Sequence, residues 1–193
     1  MSHLERIHRA LKDSIRVKES ITENEILTLR IEQAAFLFVE AFRKGGKVLF
    51  CGNGGSAADA QHLAAELSGR FQMERRPLHA EALSVNSSTV TAIANDYGFD
   101  KIFARQVEGA GKEGDVLLVL STSGNSKNIL RAVEAALARG MHVIALTGAS
   151  GGRLASMNLL LINVPSSDTA RTQEAHITIG HIICELCERA LFG

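Results

Sequence analysis

Two short segments rich in glycine and serine, each between an apolar run and a helical pattern, constrain this chain most. Residues 51–56 follow the apolar run 47–50, and residues 121–126 follow the apolar run 115–120. An alanine-rich stretch with helical spacing comes after each segment. The pattern therefore predicts one unit twice: a strand, a turn of small residues and a helix N-terminus. Such a turn presents backbone N–H groups at the positive end of a helix dipole, which favours an anion such as phosphate.

The composition is typical of a globular domain and argues against several classes of partner. The chain has 193 residues, of which 46% are hydrophobic and 22% charged, enough for one domain with a full core. The 21 basic and 21 acidic residues balance, and the absence of Trp argues against a base-stacking surface. Neither a signal-peptide core nor a run long enough to span a bilayer is found. We expect a cytoplasmic protein with no nucleic-acid or membrane partner.

The three cysteines do not indicate a disulfide framework, because their number is odd. Cys184 and Cys187 form a C-x-x-C pair within a helical pattern, with no second pair elsewhere. We interpret them as buried helix cysteines rather than as a zinc or redox site.

Short apolar strands alternate with helices, and this order predicts an α/β fold. The predicted strands are residues 48–50, 81–85, 116–120, 142–146 and 159–164. The predicted helices are residues 1–23, 25–43, 56–68, 88–94, 101–108, 126–139, 151–156 and 169–191. Such alternation favours a mostly parallel sheet with helices on both faces. Ligands of such sheets bind outside the carboxyl ends of the strands, where both glycine and serine turns lie.

The first helix carries a row of apolar side chains along one side, namely Leu4, Ile7, Leu11, Ile15 and Val17. We expect this helix and the next to pack against another subunit. The alternative is that they only cover the sheet of their own chain.

The second turn supplies four hydroxyl groups within six residues: Ser121, Thr122, Ser123 and Ser126. A helix N-cap explains one polar residue, either Ser123 or Asn125, but not four. Hydroxyl and amide groups can hold a phosphate monoester without Lys or Arg. We therefore predict phosphate binding here.

The first turn does not predict a nucleotide cofactor. Its pattern of Gly52, Gly54 and Ala57 resembles a relaxed dinucleotide fingerprint, but the acidic residue expected about 20 positions later is not clearly present. The P-loop pattern is absent from the whole chain. Asn53 and Ser56 also place polar side chains where a cofactor loop uses bare backbone.

Two helices carry residues suited to acid–base or metal chemistry. On the first, after Asp59, His62 and Glu66 lie four residues apart on one face, which suits a metal pair, a base with its orienting partner, or an ordinary surface hydrogen bond. On the closing helix, Gln173 and His181 are about 12 Å apart along the axis. Spacing alone does not join these two, and His176 points to another side of that helix from His181.

Asn95 and Asp96 begin a polar turn between helical stretches, where they act either as a helix cap or as a clamp on substrate hydroxyls. The cap is the simpler interpretation.

Four motifs in this order closely resemble the phosphoheptose isomerase family of sugar isomerase (SIS) domain proteins: residues 51–70, 94–99, 121–126 and 168–176. The resemblance runs from end to end. It implies a flavodoxin-like three-layer α/β/α sandwich with a five-stranded parallel sheet, as one SIS domain over residues 1–193. It also implies a homotetramer with active sites near subunit boundaries, in which the helices of residues 1–45 serve oligomerisation.

The resemblance implies an activity as well. The family interconverts sedoheptulose 7-phosphate and D-glycero-D-manno-heptose 7-phosphate, the first step towards activated heptose for bacterial surface polysaccharide, often the lipopolysaccharide core. Two alternatives are a non-catalytic SIS tetramer that binds the replication initiator protein and a SIS regulator that binds a sugar phosphate. The helix carboxylate Glu66 argues against the first, and the lack of an added DNA-binding domain argues against the second.

The resemblance assigns roles to particular residues. Glu66 corresponds to the catalytic base and His181 to the general acid. One zinc ion per subunit would be held by four ligands: His62, Glu66, Gln173 and His181. The substrate contacts are Asn53, Gly54, Gly55, Ser56, Glu66, Asn95, Asp96, Ser121, Thr122, Ser123, Ser126 and Gln173. Ala170 departs from the pattern, because some members carry Asp there.

Overall fold

Strands and helices alternate along all 193 residues of the chain, which are described here from a computed structural model. The helices are α1 (His3–Thr22), α2 (Glu25–Arg43), α3 (Gly55–Ser68), α4 (Ser87–Tyr97), α5 (Ala104–Ala110), α6 (Lys127–Ala138) and α7 (Thr169–Phe192). The strands are β1 (Val48–Gly52), β2 (Ala80–Ala82), β3 (Val116–Ser121), β4 (His142–Thr147) and β5 (Leu160–Asn163).

The five strands form one parallel sheet in the order β2-β1-β3-β4-β5. The chain moves to one side of β1 to make β2 and then to the other side to make β3. The order therefore changes direction between β1 and β3, where Gly52 pairs with Leu120. In open parallel sheets this switch point is where ligands bind. Both glycine and serine turns leave the sheet there, side by side.

Alternate residues of each strand face two separate cores, because successive side chains point to opposite faces of a sheet. Phe50 and Leu118 pack towards α2, α3 and α7. Cys51 and Val119 pack towards α5 and α6. Helices thus cover both faces, which confirms the predicted three-layer α/β/α sandwich.

Helices α3 and α7 approach each other closely at Gly180. A side-chain carbon at that position would lie 2.5 Å from Cδ1 of Leu63, so only glycine fits there without a shift. His181 follows Gly180 and His62 precedes Leu63. The close approach therefore places the two histidines at the same level of the helix pair.

The structure corrects the second predicted strand. It spans Ala80–Ala82 rather than residues 81–85, and Val85 is exposed. The chain turns after Ala82, because Asn86 caps α4 by accepting a hydrogen bond from the backbone N–H of Thr89.

Two further predictions of local structure need correction. Asn95 and Asp96 lie in the last turn of α4 rather than in a polar turn, because that helix continues to Gly98, whose φ is 92°. The predicted helix 101–108 is divided into a 3-10 turn at Phe99–Lys101 and α5. The predicted short helix 151–156 is present as a 3-10 helix at Gly152–Ser156, one residue shorter than expected.

Most of the apolar row of α1 stays uncovered within the chain, and only Val17 packs against the core. Leu4, Ile7, Leu11 and Ile15 are each more than half exposed. Helix α2 adds Ile26, Leu29 and Phe36 to the exposed apolar side chains. All the same, no helix is both long enough and apolar enough to cross a membrane.

The three cysteines are buried and free, as the sequence predicted for Cys184 and Cys187. Burial raises the pKa of the Cys51 thiol above its usual range, which keeps it a neutral thiol.

Candidate active site

The turn after β3 presents hydroxyl groups at the start of a helix. Ser121 ends β3, and its buried Oγ has no hydrogen-bond partner. Ser126 is the N-cap of α6, but its side chain makes no capping hydrogen bond, which corrects the expectation that Ser123 or Asn125 is the cap. Unpartnered buried hydroxyls are rare in folded proteins. Nothing within the chain uses the hydrogen-bonding capacity of the Ser121 hydroxyl, which is buried at the end of the strand.

A cavity of about 370 Å³ opens beside this turn. Its lining contains no charged residue, and seven of the ten lining residues carry hydroxyls. They are Thr122, Ser123, Asn125, Gly148, Ala149, Ser150, Ser166, Ser167, Thr169 and Thr172. The sequence did not predict the contributions from residues 148–150 and 166–169, because they come from the ends of β4 and β5, far along the chain. Together these groups form a cradle of neutral hydrogen-bond donors, which suits a phosphate at a helix N-terminus.

The two glycine and serine turns are joined by a pair of amides. Nδ2 of Asn53 donates to Oδ1 of Asn128 at 2.9 Å, and Nδ2 of Asn128 donates to Oδ1 of Asn53 at 2.8 Å. Asn128 is buried in the first turn of α6. It fixes the side chain of Asn53 at the end of β1. Asn128 could not be predicted from the sequence, since nothing in its local pattern separates it from other helix residues.

His62, Glu66 and His181 converge between α3 and α7. Nε2 of His62 lies 3.0 Å from Oε1 of Glu66 and 3.0 Å from Nε2 of His181. One nitrogen or oxygen of each residue falls within 4.8 Å of those of the other two. The structure thus brings His181 to the pair of His62 and Glu66, which spacing within one helix could not predict. The side chain of His62 is 52% exposed and that of Glu66 is 22% exposed, so the cluster is accessible from outside.

Asp59 adds a second carboxylate beside the cluster. Its Oδ2 is buried and has no hydrogen-bond partner. Burial raises the pKa of Asp59, and the neighbouring His62 and His181 oppose that shift. In the sequence, Asp59 has no predicted role. Its place about one turn before His62 on the same helix is the feature that could have indicated one.

Gln173 packs against the start of α3 in the first turns of α7. If Gly55 carried a Cβ atom, that atom would lie only 2.6 Å from Nε2 of Gln173. The amide of Gln173 therefore lies close to the backbone of Gly55. Gly54 is the N-cap of α3, and Ser56 is buried behind it. These predicted residues therefore share one corner of the sheet edge.

Asn95 and Asp96 are not joined to the other predicted residues by any hydrogen bond. Both are exposed, and Nδ2 of Asn95 donates to Oδ1 of Asp96 at 2.8 Å. Within this chain the structure therefore leaves the predicted substrate clamp apart from the rest of the site.

Comparison with known proteins identifies the family. The model of the SIS domain family matches residues 11–148. A phosphoheptose isomerase from Rhodospirillum rubrum is 58% identical over 161 residues, which are 83% of this chain and 86% of that protein. The chain belongs to the phosphoheptose isomerase family.

Solved structures of phosphoheptose isomerases share the fold over nearly the whole chain. The protein from Neisseria gonorrhoeae is 47% identical and superposes with a TM-score of 0.92. The match covers 97% of this chain and 100% of the Neisseria chain. The protein from Francisella tularensis is 45% identical and superposes with a TM-score of 0.94. The match covers 98% of this chain and 100% of the Francisella chain. The resemblance seen in the sequence is confirmed.

Proposed function

We propose that the protein is an aldose–ketose isomerase that interconverts sedoheptulose 7-phosphate and D-glycero-D-manno-heptose 7-phosphate. The observation that carries this proposal is the convergence of His62, Glu66 and His181 in a member of the phosphoheptose isomerase family. The hydroxyl cradle at the edge of the sheet supplies the second requirement, a site for the phosphate.

The phosphate end of the substrate binds in the turn after β3. Ser121, Thr122, Ser123 and Ser126 donate hydrogen bonds to its oxygens, and the N-terminus of α6 stabilises its charge. Asn53, held by Asn128, contacts the sugar. Binding energy from this end positions the reacting carbons, which lie at the other end of the sugar.

The reaction moves a proton between C1 and C2 through an enediolate. The Glu66 carboxylate takes the proton from C1, the electron pair forms a C1–C2 double bond, and the C2 oxygen gains negative charge. His181 acts as general acid and protonates that oxygen. Glu66 then returns its proton to C2 while the now neutral His181 takes the proton from O1, which gives the aldose and restores both groups to their starting states.

The donor set fits a zinc ion. Two imidazole nitrogens and one carboxylate lie within 4.8 Å of one another, and nitrogen and oxygen donors of this kind bind Zn²⁺. We propose that His62, Glu66, Gln173 and His181 hold one ion per subunit. When bound, the ion would polarise the substrate carbonyl and stabilise negative charge on its oxygen. A zinc-bound carboxylate is a weaker base, so Glu66 does not hold both roles at one moment.

We propose that the chain assembles as a homotetramer through α1 and α2. The support is the exposed apolar row of α1 from Leu4 to Ile15, which extends over about three turns, together with Phe36 on α2. Apolar surface of this extent on a folded chain marks an interaction site. In such an assembly residues 1–45 bridge subunits around the SIS domain, and Asn95 and Asp96 approach the substrate near a subunit boundary.

The alternative of a non-catalytic tetramer that binds the replication initiator protein is not favoured. Glu66, the carboxylate that the isomerisation uses, is present and lies 3.0 Å from Nε2 of His62. We also propose that the product enters the activated-heptose route to a bacterial surface polysaccharide such as lipopolysaccharide. The cytoplasmic location stays a prediction.

Incubation with sedoheptulose 7-phosphate tests the proposed function. Proton NMR should show the aldose anomeric signals growing with the wild-type protein, and a chelator should slow their growth. Absence of any aldose with zinc-loaded protein would contradict the proposal.

A further inference from the structure

Glu188 on α7 holds the segment that follows α3 through four hydrogen bonds. Its buried carboxylate accepts from the backbone N–H groups of Phe71 at 3.2 Å, Gln72 at 2.7 Å and Met73 at 2.9 Å. It also accepts from Nε of Arg75 at 2.8 Å. We call residues 69–76 the strap. Glu188 lies seven residues after His181, on the same side of α7.

Arg75 ties the strap to the end of α3. Its side chain is 1% exposed, and its Nη2 donates to the carbonyl oxygen of Glu66 at 2.8 Å. Its Nη1 donates to the carbonyl oxygens of Leu67, Gly69 and Arg76 at 2.9 to 3.1 Å. A cation at a helix C-terminus satisfies free carbonyl groups and complements the helix dipole. The guanidinium therefore fixes the last turn of α3, which carries Glu66.

Phe71 carries the strap onto the catalytic histidine. Its ring stacks on the imidazole of His181, with the ring centroids 5.5 Å apart and the planes 14° from parallel. The imidazole lies between the ring of Phe71 and the ring of His62, whose centroid is 5.0 Å away. Rotation of His181 about its side-chain bonds would break the stacking with Phe71.

We propose that Glu188, Arg75 and Phe71 are positioning residues for the isomerisation, which orient His181 and Glu66 without touching the substrate. The inference rests on the proposed function, because it assigns these residues to the same reaction. Glu188 and Arg75 hold the backbone of the strap in place. Phe71 fixes the plane of the His181 imidazole, and Arg75 also fixes the last turn of α3, in which Glu66 lies. Small misplacements of catalytic groups reduce the rate strongly, so this arrangement acts on kcat rather than on substrate binding.

The decisive variant is Phe71→Leu, which removes the aromatic face and keeps apolar bulk. We expect kcat with sedoheptulose 7-phosphate to fall about tenfold while KM stays within about twofold. Phe71→Tyr should restore kcat, because it returns an aromatic ring. The matched control is Phe42→Leu. Phe42 is a buried ring on α2 that packs edge-on against Phe38, 6.4 Å between ring centroids, and makes no ring contact with His181 or the strap.

Glu188→Gln tests the other end of the strap, because it keeps one acceptor oxygen and removes the charge. It should lower kcat in the same way, and its Tm is measured to confirm that the variant folds. Unchanged kcat in Phe71→Leu would overturn the proposal. Equal losses of kcat in Phe71→Leu and Phe42→Leu would also overturn it, since they would show a general effect of losing a buried ring rather than an effect on His181.

A second readout separates this inference from the proposed function. In NMR spectra of the wild type, the ring protons of His181 should carry an upfield ring-current shift from Phe71 that disappears in Phe71→Leu and returns in Phe71→Tyr. Unchanged His181 signals in Phe71→Leu would contradict the positioning role whether or not the protein isomerises the sugar. Lack of isomerase activity in the wild type would instead contradict the proposed function.

Discussion

The Nε2 atoms of His62 and His181 lie 3.0 Å apart, although 119 residues separate them along the chain. Two bare ring nitrogens at that distance repel each other, so a proton or a cation must lie between them. The neighbouring carboxylate of Glu66 favours a positive charge there. The donor atoms of the three side chains lie close enough together to bind one cation.

Replacement of His62 by Gln should weaken zinc binding at least tenfold, because it removes one imidazole ligand from the cluster. Competition with a chromophoric chelator measures the affinity. His79→Gln is the matched control, since His79 also lies 3.0 Å from a carboxylate, that of Glu81, but has no second histidine beside it. Equal zinc affinity in the wild type and His62→Gln would contradict the proposed metal site.

Ser121→Ala should raise KM for the sugar phosphate about tenfold with little change in kcat, because a hydrogen bond to a charged oxygen is worth about 1.5–3 kcal/mol. It should not lower Tm, since the Ser121 hydroxyl has no partner in the free protein. Steady-state kinetics and thermal unfolding measure the two effects. Ser156→Ala, which removes an exposed hydroxyl bonded to Arg153, is the control. An unchanged KM in Ser121→Ala would argue against the phosphate cradle.

Leu11→Glu should break the proposed tetramer, because it places a charge in the apolar row of α1, where Leu11 is 60% exposed. Sedimentation velocity of the wild type should give a tetramer and that of the variant smaller species. Lys12→Glu adds a carboxylate outside the apolar row and should leave the tetramer intact. A monomeric wild type would contradict the assembly.

The sequence predicted the sheet well because buried parallel strands are continuous apolar runs, as in β1 and β3. It missed the end of β2, where Val85 has strand propensity but the cap of α4 already requires a turn. It also could not join His62 to His181, because spacing within one helix says nothing about how α3 packs on α7. The only local sign of that close packing in the sequence is Gly180, which allows the two helices to approach.

The strap was not predictable at all. Glu188 looks like an ordinary acidic residue near a helix end, and only the folded chain brings the N–H groups of Phe71, Gln72 and Met73 to it. The ligand roles of Gln173 and His181 come from the resemblance to the family, not from spacing. Only the structure shows that Asn128 holds Asn53 and that Asp59 lies buried beside the cluster.

Protonation of His176 should make the protein less stable below neutral pH. Burial lowers the pKa of His176 to about 4, against 6.5 for an exposed histidine, although its hydrogen bond to the carbonyl of Thr147 opposes the shift. Between these values the unfolded chain binds a proton that the folded chain does not. The contribution of His176 to the free energy of unfolding is therefore complete above pH 6.5. It is lost as the pH drops towards 4, which lowers the free energy of unfolding by on the order of 3 kcal/mol.

The measurement is urea unfolding of the wild type and His176→Gln at a series of pH values. Gln keeps an N–H donor but does not titrate, so the variant should lose less stability between pH 6.5 and 4. Parallel curves for the two proteins would show that His176 contributes no pH dependence.

Glu66→Gln tests the central claim that this carboxylate takes the proton from carbon. The wild type and the variant are incubated with sedoheptulose 7-phosphate in D₂O and followed by proton NMR, with binding measured separately by calorimetry. The wild type should form the aldose. Glu66→Gln should form no aldose and exchange no proton at C1, while it still binds the sugar phosphate. Product formation by Glu66→Gln at the wild-type rate would contradict the account.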